Sequence, residues 1–290
     1  MAVVRSYQIE YGVCHEEERV TILCIGAHPD DCEIQCSGAA IKWAKKGHRV
    51  VFASVTDGRS GHHRLAPEEV VKLRAIESAR AVEVFGGESI NLGLPDGALE
   101  PTLSNRSKII RLVRELEPAI IITNRPNDYH PDHRYTSLLV QDSAYMFMVP
   151  HVVPEVSALG FNPLILYWRD PFTVPREIRP DVAIGIDDVF ELKLEVLSRH
   201  ESQFFDWLPW IERYAGPVPP ADDTEARRNW IRRFYQSRYY PSTADRNRDA
   251  LVRRYGTEKG NAVVEAEVFE ISEYGGHPEA EELIAIFEGM

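Results

Sequence analysis

The chain alternates between short, almost unbroken apolar runs and longer segments whose apolar residues recur at helical spacing. Val20–Gly26 is the strongest run, closed by glycine as a central strand would be. From Glu33 to Lys46 the pattern becomes helical, with Ile34, Ala40, Ile41 and Ala44 as core positions and Gly47 as the stop. Arg49–Val55 reads as the next strand. Pro67–Phe85 reads as a helix, because Pro67 suits a first turn and Val70, Leu73, Ala81 and Val84 keep the helical period. The short segment Ser89–Leu92, a helix over Ser104–Leu116 and a strand over Ala119–Thr123 complete a βαβα series. A further helix is expected from Asp132 or His133 to Met146. Strands apolar on both faces, alternating with helices, predict an α/β fold: a Rossmann-like, mostly parallel sheet with helices on both faces. Open sheets of this kind place their sites beyond the carboxyl ends of the strands.

After Met146 the rhythm weakens. Leu164–Trp168 and Val182–Ile186 read as strands, Asp188 is expected to cap a helix running to about Arg199, and Pro150, Pro154, Pro171, Pro175 and Pro180 punctuate loops. A helix near Thr224–Ser237, a polar turn-rich stretch to Gly260, a strand near Val263–Ile271 and a short terminal helix account for the rest. No internal repeat or linker is visible. Residues 1–290 are therefore expected to form a single domain, with a core of about 20–205 and a C-terminal elaboration of about 206–290.

Charge narrows the picture. The balance of 33 Lys plus Arg against 45 Asp plus Glu gives a net charge of -12, which argues against a general nucleic-acid binder. Arg227, Arg228, Arg232, Arg233 and Arg238 do cluster with Trp230, Phe234, Tyr235, Tyr239 and Tyr240. On so acidic a chain they read as an amphipathic helix packed on the main domain or on another subunit, which leaves a homo-oligomer open. Glu265, Glu267, Glu270 and Glu273 are the partners expected for those arginines. No apolar run approaches the ~20 residues that span a bilayer, and the start, Met1 to Tyr7, has no signal-peptide apolar region. Cys14, Cys24, Cys32 and Cys36 form no staple pattern, so reduced thiols and a cytoplasmic location are expected. Cys32 and Cys36 stand four apart with no matching pair elsewhere and read as packed thiols.

Two polar motifs carry the chemistry. Ala27-His28-Pro29-Asp30-Asp31 follows the strongest strand directly, and Pro126-Asn127-Asp128-Tyr129-His130-Pro131-Asp132-His133 follows the strand Ala119–Thr123. Either alone is also explained by a capped helix and a polar loop. Together they bring histidines and carboxylates to one edge of the predicted sheet. A catalytic zinc site keeps three protein ligands plus water, and hydrolysis needs a base beside that water. A His, Asp, His set with one carboxylate to spare meets both needs. The residue chemistry leaves open which of Asp30 and Asp31 binds metal, which of His130 and His133 does, and whether the ion is Zn²⁺, Fe²⁺ or Mn²⁺. Gly26, Gly38 and Gly47 form no dinucleotide fingerprint. His-Pro-Asp-Asp stands where a phosphate-cradling turn would be, and paired acids repel a pyrophosphate.

On these two motifs, in this order, the chain resembles the LmbE-like, or PIG-L-like, family of metal-dependent N-deacetylases, over residues 20 to about 205 and more loosely to Ala266-Glu267-Val268-Phe269. Cys32 departs from the glutamate usual after the double aspartate, a position that would support the loop. The resemblance implies that His28, Asp31 and His133 are metal ligands and Asp30 the general base. It implies that His130 stabilises the tetrahedral oxyanion as a charged imidazole and that Asp132 orients a neighbouring imidazole. The implied reaction is zinc-dependent removal of an acetyl group from an N-acetylglucosamine-type amino sugar or its conjugate, releasing acetate and a free amine.

Thr56-Asp57-Gly58-Arg59-Ser60-Gly61-His62-His63 follows the second strand and so lies at the same edge. Arg59 is a candidate for holding a sugar hydroxyl or an anionic substituent, and Asp57 for a turn or a supporting hydrogen bond. His62 and His63 are weighed as a second metal site against a flexible polar loop, the favoured reading. Lys193 and His200-Glu201-Ser202-Gln203 also resemble a recurrent part of the family, with substrate contact weighed against a structural helix end. Competing functions are hydrolysis of another small amide conjugate and a non-catalytic carbohydrate- or metal-binding protein. The spare acid Asp30 separates them, because a pure metal binder has no use for a base.

Overall fold

The strongest apolar run becomes the centre of the sheet. The computed structural model describes residues 19–238, 242–278 and 287. Cys14, Tyr239, Tyr240 and, apart from Phe287, the expected terminal helix lie outside the described residues. β1 (Thr21–Gly26), α1 (Asp31–Lys45), β2 (Arg49–Thr56), α2 (Pro67–Glu83), β3 (Glu88–Leu94), α3 (Leu103–Leu116), β4 (Ile120–Thr123) and α4 (Pro131–Ala144) alternate as the periodicity predicts. β5 (Leu164–Trp168), β6 (Val182–Gly185) and α5 (Phe190–Ser198) follow. A π-helical turn over Gln203–Trp207 leads into α6 (Leu208–Ile211). Then come α7 (Thr224–Arg238), α8 (Thr243–Arg246), α9 (Arg248–Tyr255), α10 (Thr257–Ala262) and β7 (Ala266–Gly275).

The seven strands run in the order β3-β2-β1-β4-β5-β7-β6. β1 to β5 pair in parallel, and β7 is antiparallel to both of its neighbours, between β5 and β6. Alternation along β1 explains the layers: Ile22 and Cys24 face one core with Trp43 of α1, Ala81 of α2, Leu197 of α5 and Ile231 of α7. Leu23 and Ile25 face the other core, with Ile109 and Val113 of α3 and Val140 of α4. Chain order reverses between β1 and β4, so a crevice opens beyond their carboxyl ends. Among the described residues, no helix is long and apolar enough to cross a membrane.

Local readings after β6 need correction. Asp188 does not cap α5: the helix begins at Phe190, its cap position is Val189, and Asp188 pairs with Lys42 at 2.7 Å. The stretch expected to be turn-rich forms α8, α9 and α10. Ser242 Oγ accepts the Asp245 N–H at the start of α8, and the Arg248 guanidinium donates to the carbonyls of Gly260 and Val263. Their buried faces are small, with Ala244, Ala250 and Leu251 against Ala183, Ala266 and Val268, which weakens the periodic signal. β7 extends beyond the expected Ile271 to Gly275. In α7 the aromatics Trp230 and Tyr235 are buried, and Trp230 Nε1 donates to the Phe204 carbonyl at 3.0 Å. The ion pairs of α7 among the described side chains are not those expected: Arg227 pairs with Glu201 and Arg232 with Glu191, while Glu270 pairs with Arg176.

Glu267 of β7 does something different. Its carboxylate accepts the Lys193 ammonium at 2.6 Å and the backbone N–H groups of Gly38 and Ala39 at 2.8 and 2.7 Å. Lys193 also donates to the Ile34 carbonyl at 2.7 Å, so one buried ion pair joins α1, α5 and β7. Gly38 is required there, because a Cβ would lie 2.9 Å from the Glu267 carboxylate and 2.8 Å from Ile186. Removing one partner of a buried pair leaves an uncompensated charge. Glu267→Ala is expected to lower unfolding stability by about 3–5 kcal/mol, measured by urea denaturation; a loss within experimental error refutes this role for the pair.

Candidate active site

The site is built where four parallel strands end. β1 delivers His28, Asp30 and Asp31, β2 delivers Asp57 and Gly58, β3 delivers Asp96, and β4 delivers Asp128, His130, Asp132 and His133. Gly26 makes the turn after β1 feasible: a Cβ there would lie 2.7 Å from Cβ of Asp31. Asp31 opens α1, and its Oδ2 accepts the His28 N–H at 2.9 Å. Asp30, before the helix, has φ of 152°, a strained conformation for a residue with a side chain. Arg74 of α2 holds it there: the guanidinium lies 3.1 Å from Asp30 Oδ2 and donates to the Pro29 carbonyl.

The two motifs meet. His28 Nδ1 and His133 Nε2 face each other at 3.2 Å, with Asp31 oxygens 3.6 Å from the first and 3.4 Å from the second. The outer nitrogens are committed to carboxylates. His28 Nε2 lies 3.1 Å from Asp96 and 3.5 Å from Asp132, and His133 Nδ1 lies 3.0 Å from Asp128. Asp132 is itself fixed by the Gly97 N–H at 2.7 Å. Carboxylate–imidazole pairs of this kind orient metal-binding histidines and leave the inner nitrogen for the ion. A tetrahedral site with bonds of about 2.0–2.1 Å has ligand–ligand edges of roughly 3.3 Å, so the separations among His28, Asp31 and His133 fit that edge. His28 also belongs to donor groups with His130 and His133, and with Asp96 and Asp132.

Burial and charge set the protonation states. Burial opposes protonation of His28, yet Asp31, Asp132 and Asp96 raise its pKa well above the ordinary value. Burial opposes it at His133 too, but Asp31 and Asp128 push the ring up to about 9. The surrounding carboxylates thus stabilise positive charge on the two rings. Burial alone would raise Asp31, but His133 and His28 hold it well below the usual carboxylate range. Asp30 goes the other way, burial raising its pKa despite Arg74 beside it. His130 is lowered, by burial and by its neighbours His28 and His133. Its Nδ1 accepts the Asp132 N–H at the start of α4, which assigns a neutral ring with its proton on Nε2. Both features favour the neutral form of this ring over the charged imidazole the resemblance implies.

A cavity of about 240 Å³ joins these groups, lined by His28, Asp30, His130 and His133 and walled by Gln203, Trp207 and Leu208. Arg59 does not line it. Its guanidinium folds back onto Asp57, with the shortest contact 2.5 Å. His62 and His63 are tied into the surrounding structure: His62 Nε2 lies 3.2 Å from Asp206, and its Nδ1 accepts the N–H groups of Arg64 and Leu65, both at 3.1 Å. That pattern keeps the proton on Nε2, and Arg64 also pairs with Asp206, so this donor group is unsuited to a cation. Lys193 is in the core, His200 lies 3.0 Å from Glu33, and Ser202 is held by Glu77, while Gln203 alone of that segment reaches the cavity. Cys24, Cys32 and Cys36 are buried free thiols, Cys32 donating to the Cys24 carbonyl at 3.4 Å.

Asp96, Asp128 and Arg74 received no role from the sequence. Asp128 sits inside the second motif and Asp96 in a Pro-Asp-Gly turn after β3, signals that mark position but not function. Arg74 lies within a helical pattern and gives no signal. Asp128→Asn removes the anion on His133 Nδ1. In metal-free protein the His133 pKa is expected to fall from about 9, read by NMR titration of the ring; an unchanged value refutes the coupling.

Residues 23–144 match the model of the PIG-L family, described as GlcNAc-PI de-N-acetylase. Diacetylchitobiose deacetylase of Thermococcus kodakarensis is 29% identical over 205 residues, 67% of this chain and 76% of that protein. Probable N-acetyl-alpha-D-glucosaminyl L-malate deacetylase 2 of Bacillus cereus is 28% identical over 191 residues, 63% of this chain and 83% of the relative. Among solved structures, N,N'-diacetylchitobiose deacetylase of Pyrococcus horikoshii superposes with a TM-score of 0.65 at 22% identity, covering 91% of this chain and 88% of the other. The 4-carboxy-2-hydroxymuconate hydratase of Pseudomonas putida superposes with a TM-score of 0.66 at 17% identity, covering 90% and 98%. The fold therefore carries both reactions and does not choose between them. The resemblance read from the two motifs holds: residues 23–144 match the PIG-L family model, and the sequence relatives include diacetylchitobiose deacetylase and other deacetylases.

Proposed function

We propose that this protein is a metal-dependent N-deacetylase acting on an N-acetylglucosamine-type amino sugar. The observation that carries the reading is the pair of carboxylate-backed imidazoles, His28 and His133, facing each other beside Asp31 with the buried Asp30 in the same cavity. His28, Asp31 and His133 would hold the ion, and their mixed imidazole and carboxylate donors suit Zn²⁺, with Fe²⁺ and Mn²⁺ sharing part of that preference. When bound, such an ion polarises the acetyl carbonyl and lowers the pKa of water.

The chain's own groups supply the proton chemistry. Asp30 accepts a proton from the attacking water as the new C–O bond forms. His130 donates its Nε2–H to the carbonyl oxygen as that oxygen gains negative charge, a role a neutral imidazole fills. When the C–N bond breaks, Asp30 passes its proton to the departing nitrogen, leaving acetate and the amine. Asp132 and Asp96 hold the His28 ring, and Asp128 holds His133. Arg59, tied to Asp57 at the rim, would need to leave that carboxylate before meeting a substituent.

Protein purified without chelator is expected to bind about one divalent ion per chain, with occupancy lowered in His28→Ala and His133→Ala by metal analysis. Unchanged affinity in these variants and in Asp31→Ala overturns the ligand assignment. Asp30→Asn is expected to keep the metal and lose roughly 10²–10⁴-fold in turnover; near-native turnover with metal bound eliminates Asp30 as the base. Substrate class is read by mass spectrometry of acetyl loss from N-acetylglucosamine, its β-linked disaccharide and anionic conjugates, with peptide amides, acetate esters and an unsaturated carboxylic acid as controls. Acetyl release confined to the controls, or hydration of the acid, rejects the amino-sugar reading.

A further inference from the structure

One wall of the cavity is made by Gln203 and Trp207 of the π-helical turn Gln203–Trp207 and by Leu208. π-Turns inside helices recur at functional sites, because the extra residue re-aims side chains at some cost in hydrogen bonding. Here both ends of the turn, Gln203 and Trp207, reach the cavity. Gln203 is only 4% exposed and donates its amide to the Gly61 carbonyl at 3.0 Å, which leaves Oε1 as an acceptor. The Trp207 ring belongs to an aromatic cluster. It stacks on Trp210 with centroids 5.3 Å apart and planes at 24°, and Trp210 stacks on His63 at 4.5 Å and 7°. His63 is stacked in turn on His62, which Asp206 pins from within the π-turn itself. The histidine pair weighed above as a metal site thus buttresses an indole that lines the cavity.

The charges around the cavity limit what that wall can meet. The only lysine or arginine lining it, among the described residues, is Arg74, whose guanidinium is held by Asp30 and the Pro29 carbonyl. Asp30, Asp31 and Asp96 line the same space. An anionic substituent directed at this wall would find, among the described residues, no lysine or arginine lining the cavity other than Arg74, which is already paired. An uncharged pyranose offers an apolar C–H face for an indole and hydroxyls for Gln203, a pairing of apolar body and polar edge that aromatic walls accommodate.

We propose that Trp207, backed by Trp210 and His63, forms with Gln203 a subsite for a second, uncharged sugar ring attached to the acetamido sugar. The subsite rests on the deacetylase reading for its orientation, with the acetamido group toward Asp30 and His130. It makes a neutral disaccharide, and not a free monosaccharide or an anionic conjugate, the preferred substrate.

The test compares kcat/KM for N-acetylglucosamine, its β-1,4-linked disaccharide and an N-acetylglucosaminyl malate in wild type, Trp207→Ala and Trp207→Phe. Wild type is expected to prefer the disaccharide over both others. Trp207→Ala is expected to reduce the disaccharide-to-monosaccharide ratio by about tenfold, and Trp207→Phe to restore most of it. Equal losses on both sugars, or a wild-type preference for the malate conjugate, overturn the subsite. Circular dichroism establishes that the variants are folded, and the phenylalanine variant carries the comparison if the alanine variant is not. If wild type releases acetate from neither sugar, the deacetylase reading fails by itself. The subsite is then decided by calorimetric binding of the disaccharide: binding lost in Trp207→Ala supports it, and no binding to wild type overturns it.

Discussion

Everything at the site depends on the parallel pairing of β1 with β4. The register sets Ile22 opposite Ile120 and Ile25 opposite Thr123, and the Thr123 hydroxyl donates to the Ile25 carbonyl at 2.8 Å. Both strands therefore end at the same height, and the loops leaving them carry His28 and His133 to within 3.2 Å. A slip of one residue would exchange the faces of β4 and turn its apolar residues away from their cores. Ile122 packs with α1 and α5 while Ile121 packs with α3 and α4, so hydrophobic burial enforces the register that the chemistry needs. Strand order reverses between these two strands. The site occupies the place where an open α/β sheet has room for one.

Within that crevice the charges are arranged in opposition. Carboxylates on the outer nitrogens of His28 and His133 draw positive charge toward the two rings, while the rings pull Asp31 toward its anion. Buried groups of one sign would be costly alone, and these offset one another only in this arrangement. His130 stands edge-on to His28 at 4.6 Å, and burial together with His28 and His133 lowers its pKa, opposite in direction to the shift of its two neighbours. One loop thus presents a histidine suited to a cation and another suited to donating a hydrogen bond, three residues apart.

Much of this was legible before any coordinates. The alternation of apolar runs with helical periods placed β1, β2 and β4 and the helices between them, since burial on both faces leaves a strong signature. The two motifs were legible because strand ends locate sites, and their residues do meet. What escaped were groups whose meaning is purely tertiary. Arg74 is one polar residue in an amphipathic helix until α2 packs over the β1 loop, and Asp96 is a turn residue until β3 brings it under His28. Lys193 and Glu267 look like surface charges 74 residues apart and prove to be a core pair. Asp188 had the right position for a cap but found Lys42 instead. The helices over 243–262 were obscured by Asn247, Gly256 and Gly260, breakers that here lie between or inside very short helices. Trp207 gave no sign of its position because the π-turn shifts the angular spacing on which helical periodicity relies.

Asp30 brings these strands of reasoning to one atom pair. Its backbone lies in a region that costs on the order of 1–3 kcal/mol for a residue with a side chain, and such strain persists only where surroundings over-determine it. The surroundings here are Arg74, which grips both the Pro29 carbonyl and the Asp30 carboxylate, and the Asp30 N–H, which donates to the His28 carbonyl at 3.0 Å. The same arginine opposes the effect of burial on the carboxyl, and burial prevails, so the group is more basic than a surface aspartate. A flexible acid at this position could swing toward His28 and His133 and join the donors proposed to hold a metal. Clamped by a residue from a neighbouring βα unit, it is kept beside Asp31 yet apart from it. The two adjacent aspartates are therefore held in different surroundings, Asp31 against the two imidazoles and Asp30 against Arg74, and the division of roles proposed for them depends on where α2 packs.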